Sequence, residues 1–174
     1  MLFRSDVTLT VVKLDQMYPA LKAGRIDGFN TTAPANNRAV SEGIAVWAAR
    51  PSQGEVPGLK DFLYTALCAK PDFLAKNGDV ARRTVRAIAK ASDLITSNPA
   101  QAGRMLQQAF LQETDLALVQ SVVADQRSTV SVPIKLTQAM FDQNLDFVQR
   151  FDKLDKAVSF AEVMDARWLT DAAQ

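Results

Sequence analysis

Short apolar runs rich in β-branched residues mark the first third of the chain. The first run, VTLTVV, alternates between apolar and polar residues, which is typical of a β-strand. Three strands are predicted in this part of the chain, at residues 7–12, 26–29 and 44–48. Helical patterns lie between them: one begins at Asp15 and ends before Gly24, and the next begins near Pro34 and ends at Gly43. This order predicts an α/β lobe whose strands pair in parallel.

The remaining two thirds of the chain begin with a loop and become mostly helical. Residues 51–60, PSQGEVPGLK, contain two prolines and two glycines, which favours a loop and a boundary at this point. A further apolar strand is predicted at residues 62–69. Helices are predicted beyond Pro71, from Asp79 to a break at Asn98, near residues 100–110, near 114–126 and over 137–151. The predicted fold class is therefore α/β, with short parallel strands followed by a helix-rich region.

The predicted sheet has an exposed first strand, which leaves an unpaired edge. The simplest account is that further strands precede this one, so that the chain is part of a longer protein. Residues 2–5, LFRS, are also what a common sequencing adapter would encode, which suggests the hypothesis that residues 1–5 are not native and that native sequence begins at Asp6.

Composition narrows the classes of function. The 174 residues include 48% hydrophobic and 22% charged residues and carry a net charge of +1, so neither a membrane-spanning run nor a basic surface for nucleic acid is indicated. The chain has no histidine, which removes the commonest general base and metal ligand. Cys68 lies in an apolar run, which favours a small buried residue. We expect no catalytic residues, no cofactor and no metal site.

A polar turn is the best candidate for a binding site. Asn30, Thr31 and Thr32 follow a predicted strand and precede a predicted helix. In open α/β sheets, ligands bind beyond the carboxyl ends of the strands, and a helix beginning near Pro34 would add free N–H groups for a polar or anionic ligand. The alternative is an ordinary turn in which these side chains cap the helix.

Two further residues are weaker candidates for the same site. Met17 lies at a second predicted strand-to-helix turn, beside Tyr18, and Tyr64 lies in the strand after the boundary and offers an aromatic face with a hydroxyl. The alternative for Met17 and for Tyr64 is packing in the core.

Several segments resemble substrate-binding proteins of ABC importers. ALKAGRIDGFNTTAPANNRAVSEG resembles a segment of the nitrate/sulfonate/taurine type, which includes binders of thiamine precursors. LCAKPDFLAKNGDVARRTVRAIAKASDLITSNPAQAGRML and the later DARWL resemble further segments of that family in the same order. Two positions depart from the family pattern: Ala33 replaces a glutamate, and Gly78 replaces a proline.

The resemblance implies the C-terminal portion of a two-lobed, type II periplasmic-binding-protein fold. Residues 1–60 would be the end of the second lobe, and residues 61–174 the hinge strand and the helical return to the first lobe. The implied function is to capture a small polar or anionic solute between the lobes and to deliver it to permease subunits in the membrane. The parent protein would be periplasmic, or extracytoplasmic and lipid-anchored.

Other functions remain open from the sequence. A ligand-sensing domain of a regulator and an enzyme similar to thiamine-pyrimidine synthases share the implied fold, and a helical scaffold without a ligand is a third alternative. Since those enzymes consume their own histidine, the absence of histidine argues against the enzyme in this part of the protein.

Overall fold

The computed structural model describes residues 6–59, 62–151, 154–165 and 167–170. The chain forms two compact units, Met1–Ala48 and Ala49–Gln174, which we call the N-terminal unit and the C-terminal unit. The predicted boundary at residues 60–61 and the hypothesis that residues 1–5 are not native both fall outside the described residues. The assignment of the two segments to lobes stays a prediction.

The N-terminal unit contains two short helices that contact each other, α1 (Leu14–Lys22) and α2 (Ala35–Ser41). Ala39 of α2 is almost completely buried. Gly24 follows α1 with φ +67° and Gly43 follows α2 with φ +70°, a backbone conformation that glycine adopts without steric cost. The predicted glycine stops of both helices are therefore confirmed.

The C-terminal unit is built from helices and loops in the described residues. Its α-helices are α3 (Pro71–Lys76), α4 (Gly78–Ser97), α5 (Pro99–Phe110), α6 (Leu116–Gln126), α7 (Gln138–Phe151), α8 (Phe160–Val163) and α9 (Arg167–Thr170). Single turns of 3-10 helix occur at Pro51–Gln53 and Arg127–Thr129. The helices predicted after the Asn98 break match α5, α6 and α7 closely, and the Asn98 side chain accepts a hydrogen bond from the Gln101 N–H at 3.1 Å.

The prediction of an α/β fold with short parallel strands is wrong for the part of the chain that the structure describes. None of the predicted strands, at residues 7–12, 26–29, 44–48 and 62–69, forms a β-ladder there. β-branched residues favour a strand only when a neighbouring strand accepts and donates backbone hydrogen bonds, and no described segment provides that partner. Val11 and Tyr64 are consequently exposed, and Cys68, which was expected to be buried, is exposed as well.

The loop before the C-terminal helices is fixed by side-chain hydrogen bonds. Gln53 donates from Nε2 to the Asp125 carbonyl at 2.9 Å and accepts from the Ser128 hydroxyl at 3.0 Å. Gln143 of α7 donates to the Gly58 carbonyl at 2.7 Å. The predicted loop is confirmed over its described residues, and these bonds hold it against the C-terminal end of α6 and against the side of α7.

Gly78 begins α4 where the resemblance has a proline. A Cβ atom at Gly78 would lie 3.3 Å from Cη2 of Trp168, tighter than ordinary van der Waals contact. The Trp168 indole is held in turn by a hydrogen bond from Nε1 to the Asp165 carboxylate at 2.9 Å. The departure from the family pattern therefore leaves room for the α9 tryptophan at the start of α4.

The tightest helix contact joins α5 and α6. Ala102, Val119 and Val123 are buried between these helices, and Gly103 lies so close to α6 that an added Cβ would be 2.9 Å from the Gln120 Cα. The Gln120 side chain also donates to the Ala100 carbonyl at 2.9 Å. Only glycine allows α5 to approach the α6 backbone at this point.

We expect Gly103→Ala to destabilise the C-terminal unit. Overlap with the α6 backbone costs about 1–3 kcal/mol, and the roughly 1 kcal/mol by which alanine favours a helix over glycine offsets part of it, which leaves a net loss of up to about 2 kcal/mol. Thermal and urea unfolding followed by circular dichroism measure the change. Gly28→Ala is the matched control, because an added Cβ there meets no atom within 4 Å. A Gly103→Ala variant as stable as the wild type would contradict the close approach.

Candidate functional site

The polar turn predicted as the site lies between α1 and α2 in the N-terminal unit. Asn30 and Thr32 are exposed, and Thr31 is half-buried. Pro34 is the N-cap residue of α2, and its side chain has no polar atom that could accept a hydrogen bond, so it provides no side-chain cap. Asn36 connects the helix to the turn, because its Nδ2 donates to the Thr31 carbonyl at 3.2 Å.

The start of α2 is stabilised by an amide side chain of the helix itself. The Asn36 Oδ1 atom accepts the Asn37 N–H at 2.9 Å. Within the described residues, the side chains of Asn30, Thr31 and Thr32 form no hydrogen bond, so they do not cap the helix. The alternative interpretation, in which these side chains cap α2, is therefore wrong. The binding role of the three residues stays a prediction.

The weaker candidates lie in different units. Met17 is half-buried on α1 and shares the N-terminal unit with the polar turn. Tyr64 belongs to the C-terminal unit, where it is 78% exposed in a segment without regular structure. Core packing, the alternative for Tyr64, is wrong. Asn30, Thr31 and Thr32 thus follow one another in an irregular segment before the turn at residues 33–34, and Tyr64 lies in the other unit.

A charged cluster between α1 and α2 was missed by the sequence analysis. The Tyr18 hydroxyl donates to the Glu42 carboxylate, which also accepts from Arg38 Nε at 2.7 Å and from Lys22 Nζ at 3.4 Å. The Arg38 guanidinium lies 4.3 Å from the centroid of the Tyr18 ring, within the range of a cation–π contact. We call these four residues the Glu42 cluster.

Hydrogen bonds keep Glu42 ionised. The Tyr18 hydroxyl, followed by the Arg38 guanidinium, lowers the pKa of Glu42 from 4.5 to about 2. The same contacts raise the pKa of Lys22, chiefly through Tyr18, and the pKa of Arg38, chiefly through Glu42. A carboxylate held ionised in this way is a poor proton donor near neutral pH. Because Tyr18 and Lys22 lie on α1 and contact Glu42 at the end of α2, the Glu42 cluster links the two helices.

Other features of the described residues offer little chemistry. They contain no group of three or more histidine, cysteine or acidic residues that could hold a metal ion. A cavity of about 500 Å³ lies at the α5–α6 turn and is lined by residues 109–114, none of which was a site candidate. Among the same described residues, no helix is both long and apolar enough to span a membrane.

Protonation of Glu42 should loosen the contact between α1 and α2. Because its pKa is about 2 in the folded chain and 4.5 when unperturbed, the stabilisation is complete above about pH 4.5 and is lost as the pH falls toward 2. We expect Glu42→Gln to lower the thermal midpoint at neutral pH, and the difference from wild type to shrink as the solution is acidified. Circular dichroism melting curves measure both effects.

The exposed Glu113→Gln is the control for that experiment, since Glu113 forms no ion pair with the residues that the structure describes. Equal destabilisation by Glu42→Gln at neutral and acid pH would show that the carboxylate charge is not what links the helices.

Comparison with known proteins places the chain in a family. No curated protein and no solved structure matches it. A family model described as the NMT1-like family matches residues 3–109, more than half of the chain. This match supports the family-level part of the resemblance, a substrate-binding protein of the nitrate/sulfonate/taurine type. The chain belongs to the NMT1-like family.

Proposed function

We propose that this chain is part of the solute-binding component of an ABC importer. The solute is a small polar or anionic molecule of the sulfonate, taurine, nitrate or thiamine-pyrimidine-precursor class. The observation that carries the proposal is the polar turn: in a member of the NMT1-like family, the side chains of Asn30, Thr31 and Thr32 form no hydrogen bonds within the described structure. Hydroxyl and amide groups that no internal bond uses are suited to bind a polar ligand.

The proposed protein carries its solute to a permease and performs no reaction on it. The absence of histidine, the commonest general base, favours binding over acid–base catalysis in this chain. Delivery to an importer requires the intact protein to work outside the cytoplasm, either in the periplasm or attached to the membrane by a lipid. The partners are then the solute and the membrane permease subunits, with no nucleic acid.

We also propose that the chain is the C-terminal portion of a longer protein. Support comes from apolar side chains that the described residues leave uncovered: Leu9 is 78% exposed, Val11 is fully exposed, and Tyr64 is 78% exposed. Burial of such side chains is the main driving force for folding, so a partner surface that covers them would stabilise both segments. In the intact protein, additional chain would cover these segments and complete the binding site.

Solute binding by the intact protein tests the proposal. We expect a thermal shift with at least one solute of the proposed classes, since a ligand at about 100 times its Kd stabilises the folded state by about 2.7 kcal/mol. Absence of any shift with all four solute classes would contradict the proposed function.

Substitution of the two threonines tests the site. Thr31→Ala combined with Thr32→Ala removes two hydrogen bonds to the solute, each worth about 0.5–1.5 kcal/mol, and should weaken binding about 5- to 150-fold in titration calorimetry. Thr8→Ala combined with Thr10→Ala is the control, because this pair makes the same chemical change in the N-terminal unit at residues outside the polar turn. Equal solute affinity in the two double variants would place the binding site elsewhere.

A further inference from the structure

We infer that Asn77 is a site of spontaneous covalent modification, at which its side-chain amide is converted to aspartate and isoaspartate. Asn77 and Gly78 form the junction between α3 and α4, and both residues are half-buried. They belong to the C-terminal unit, so the reaction is separate from the solute binding proposed for the N-terminal unit.

Asn77 is the only asparagine of the chain that is followed by glycine. Of the six asparagines, the other five are followed by threonine, asparagine, arginine, proline and leucine. A side chain on the following residue obstructs the approach of its backbone nitrogen to the asparagine Cγ, and glycine has no side chain to obstruct it. The sequence therefore makes Asn77 the most reactive of the six.

The reaction consumes water and releases ammonia. The Gly78 nitrogen attacks the Asn77 Cγ and gives up its proton, a succinimide ring closes, and the Cγ–Nδ2 bond breaks as ammonia leaves. Water then adds to one of the ring carbonyls and opens the ring. Opening on one side gives aspartate, and opening on the other gives isoaspartate, in which the main chain runs through Cγ.

The Gly78 N–H is available for this attack. Gly78 is the first residue of α4, where backbone N–H groups have no acceptor within the helix. The backbone hydrogen bonds of the junction in the described structure use other atoms: the Asn77 N–H donates to Phe73 at 2.8 Å, and the Asn77 carbonyl accepts from Val80 and Ala81. The proline that the resemblance has in place of Gly78 has no N–H and could not react.

The closed junction holds Asn77 away from the reactive geometry. Its Nδ2 donates to the Phe73 carbonyl at 3.1 Å, and its ψ of 39° does not direct the Gly78 nitrogen at Cγ. Ring closure requires the peptide between Asn77 and Gly78 to turn, which breaks the bonds that the Asn77 carbonyl accepts. The reaction therefore proceeds from an opened first turn of α4, and its rate follows the population of that opened state.

Trp168 of α9 opposes this opening. Its indole lies against Gly78, since a Cβ there would be 3.3 Å from the Trp168 Cη2 atom. The Asp165 carboxylate holds the indole by accepting from Trp168 Nε1 at 2.9 Å, and it also pairs with Arg167 at 2.6 Å. Trp168 is thus a positioning residue, whose loosening should raise the rate at Asn77.

Modification should in turn loosen the contact of α4 with α9. Isoaspartate lengthens the main chain by one carbon between α3 and α4, which displaces Gly78 from its place against Trp168. Aspartate keeps the length of the main chain but has no amide N–H to donate to the Phe73 carbonyl.

Peptide mapping by mass spectrometry tests the site. We expect Asn77 to be the first of the six asparagines to change when the purified chain is incubated at mildly alkaline pH, and an isoaspartate-specific methyltransferase assay to detect isoaspartate at this position. Asn77→Gln should lose the signal, because the longer side chain would have to close a larger ring that forms more slowly. Earlier reaction at another asparagine, or aspartate at residue 77 without isoaspartate, would overturn the inference.

A substitution in α9 tests the role of Trp168. Trp168→Phe keeps an aromatic ring but lacks the Nε1 donor, and should speed the reaction at Asn77 about 2- to 12-fold, the factor by which one lost hydrogen bond changes the population of the opened state. Trp47→Phe makes the same change in the N-terminal unit and should leave the rate unchanged.

Thermal unfolding establishes that both variants are folded, and the wild-type comparison of the six asparagines stands without either of them. An unchanged rate in Trp168→Phe, or an equal increase in Trp47→Phe, would overturn the role of Trp168.

Discussion

The close contact between α5 and α6 at Gly103 is the interaction on which the C-terminal unit most depends. In the described residues there is no β-ladder, so tertiary stability must come from helices that pack on one another. Close packing requires small side chains where backbones approach, and Ala102 and Gly103 meet that requirement. In the N-terminal unit, a small side chain is likewise the most buried one that the structure describes, that of Ala39 in α2.

Elements that are determined by residues close in sequence were predicted correctly, and elements that need a partner distant in sequence were not. Helix ends depend on neighbouring residues, and the stops at Gly24 and Gly43 and the break at Asn98 were correctly predicted for that reason. Strands depend on a partner that is distant in sequence. Residues 7–12 and 62–69 have strand-like composition, yet no described segment pairs with them, and composition alone cannot supply the missing hydrogen bonds.

The same distinction between local and long-range signals applies to the candidate site. That residues 30–32 form a polar segment just before a helix could be predicted, because polar residues followed by a proline are a local signal. The contact of Tyr18 with Glu42 joins residues that are 24 positions apart and could not be predicted from periodicity. The spacing of Tyr18 with Lys22 and of Arg38 with Glu42 was nevertheless a signal, since residues four apart share a helix face.

The Glu42 cluster and the polar turn differ in charge within the N-terminal unit. The single carboxylate of Glu42 pairs with both Lys22 and Arg38, so the Glu42 cluster carries a net charge of +1. The turn itself has no charge between residues 28 and 37. For the solute proposed above, recognition at these residues would depend on the direction and number of hydrogen bonds and on the cost of removing water from the solute. Direct hydrogen bonds are less sensitive to screening by salt than attraction between exposed charges, so binding of that kind would persist at high ionic strength.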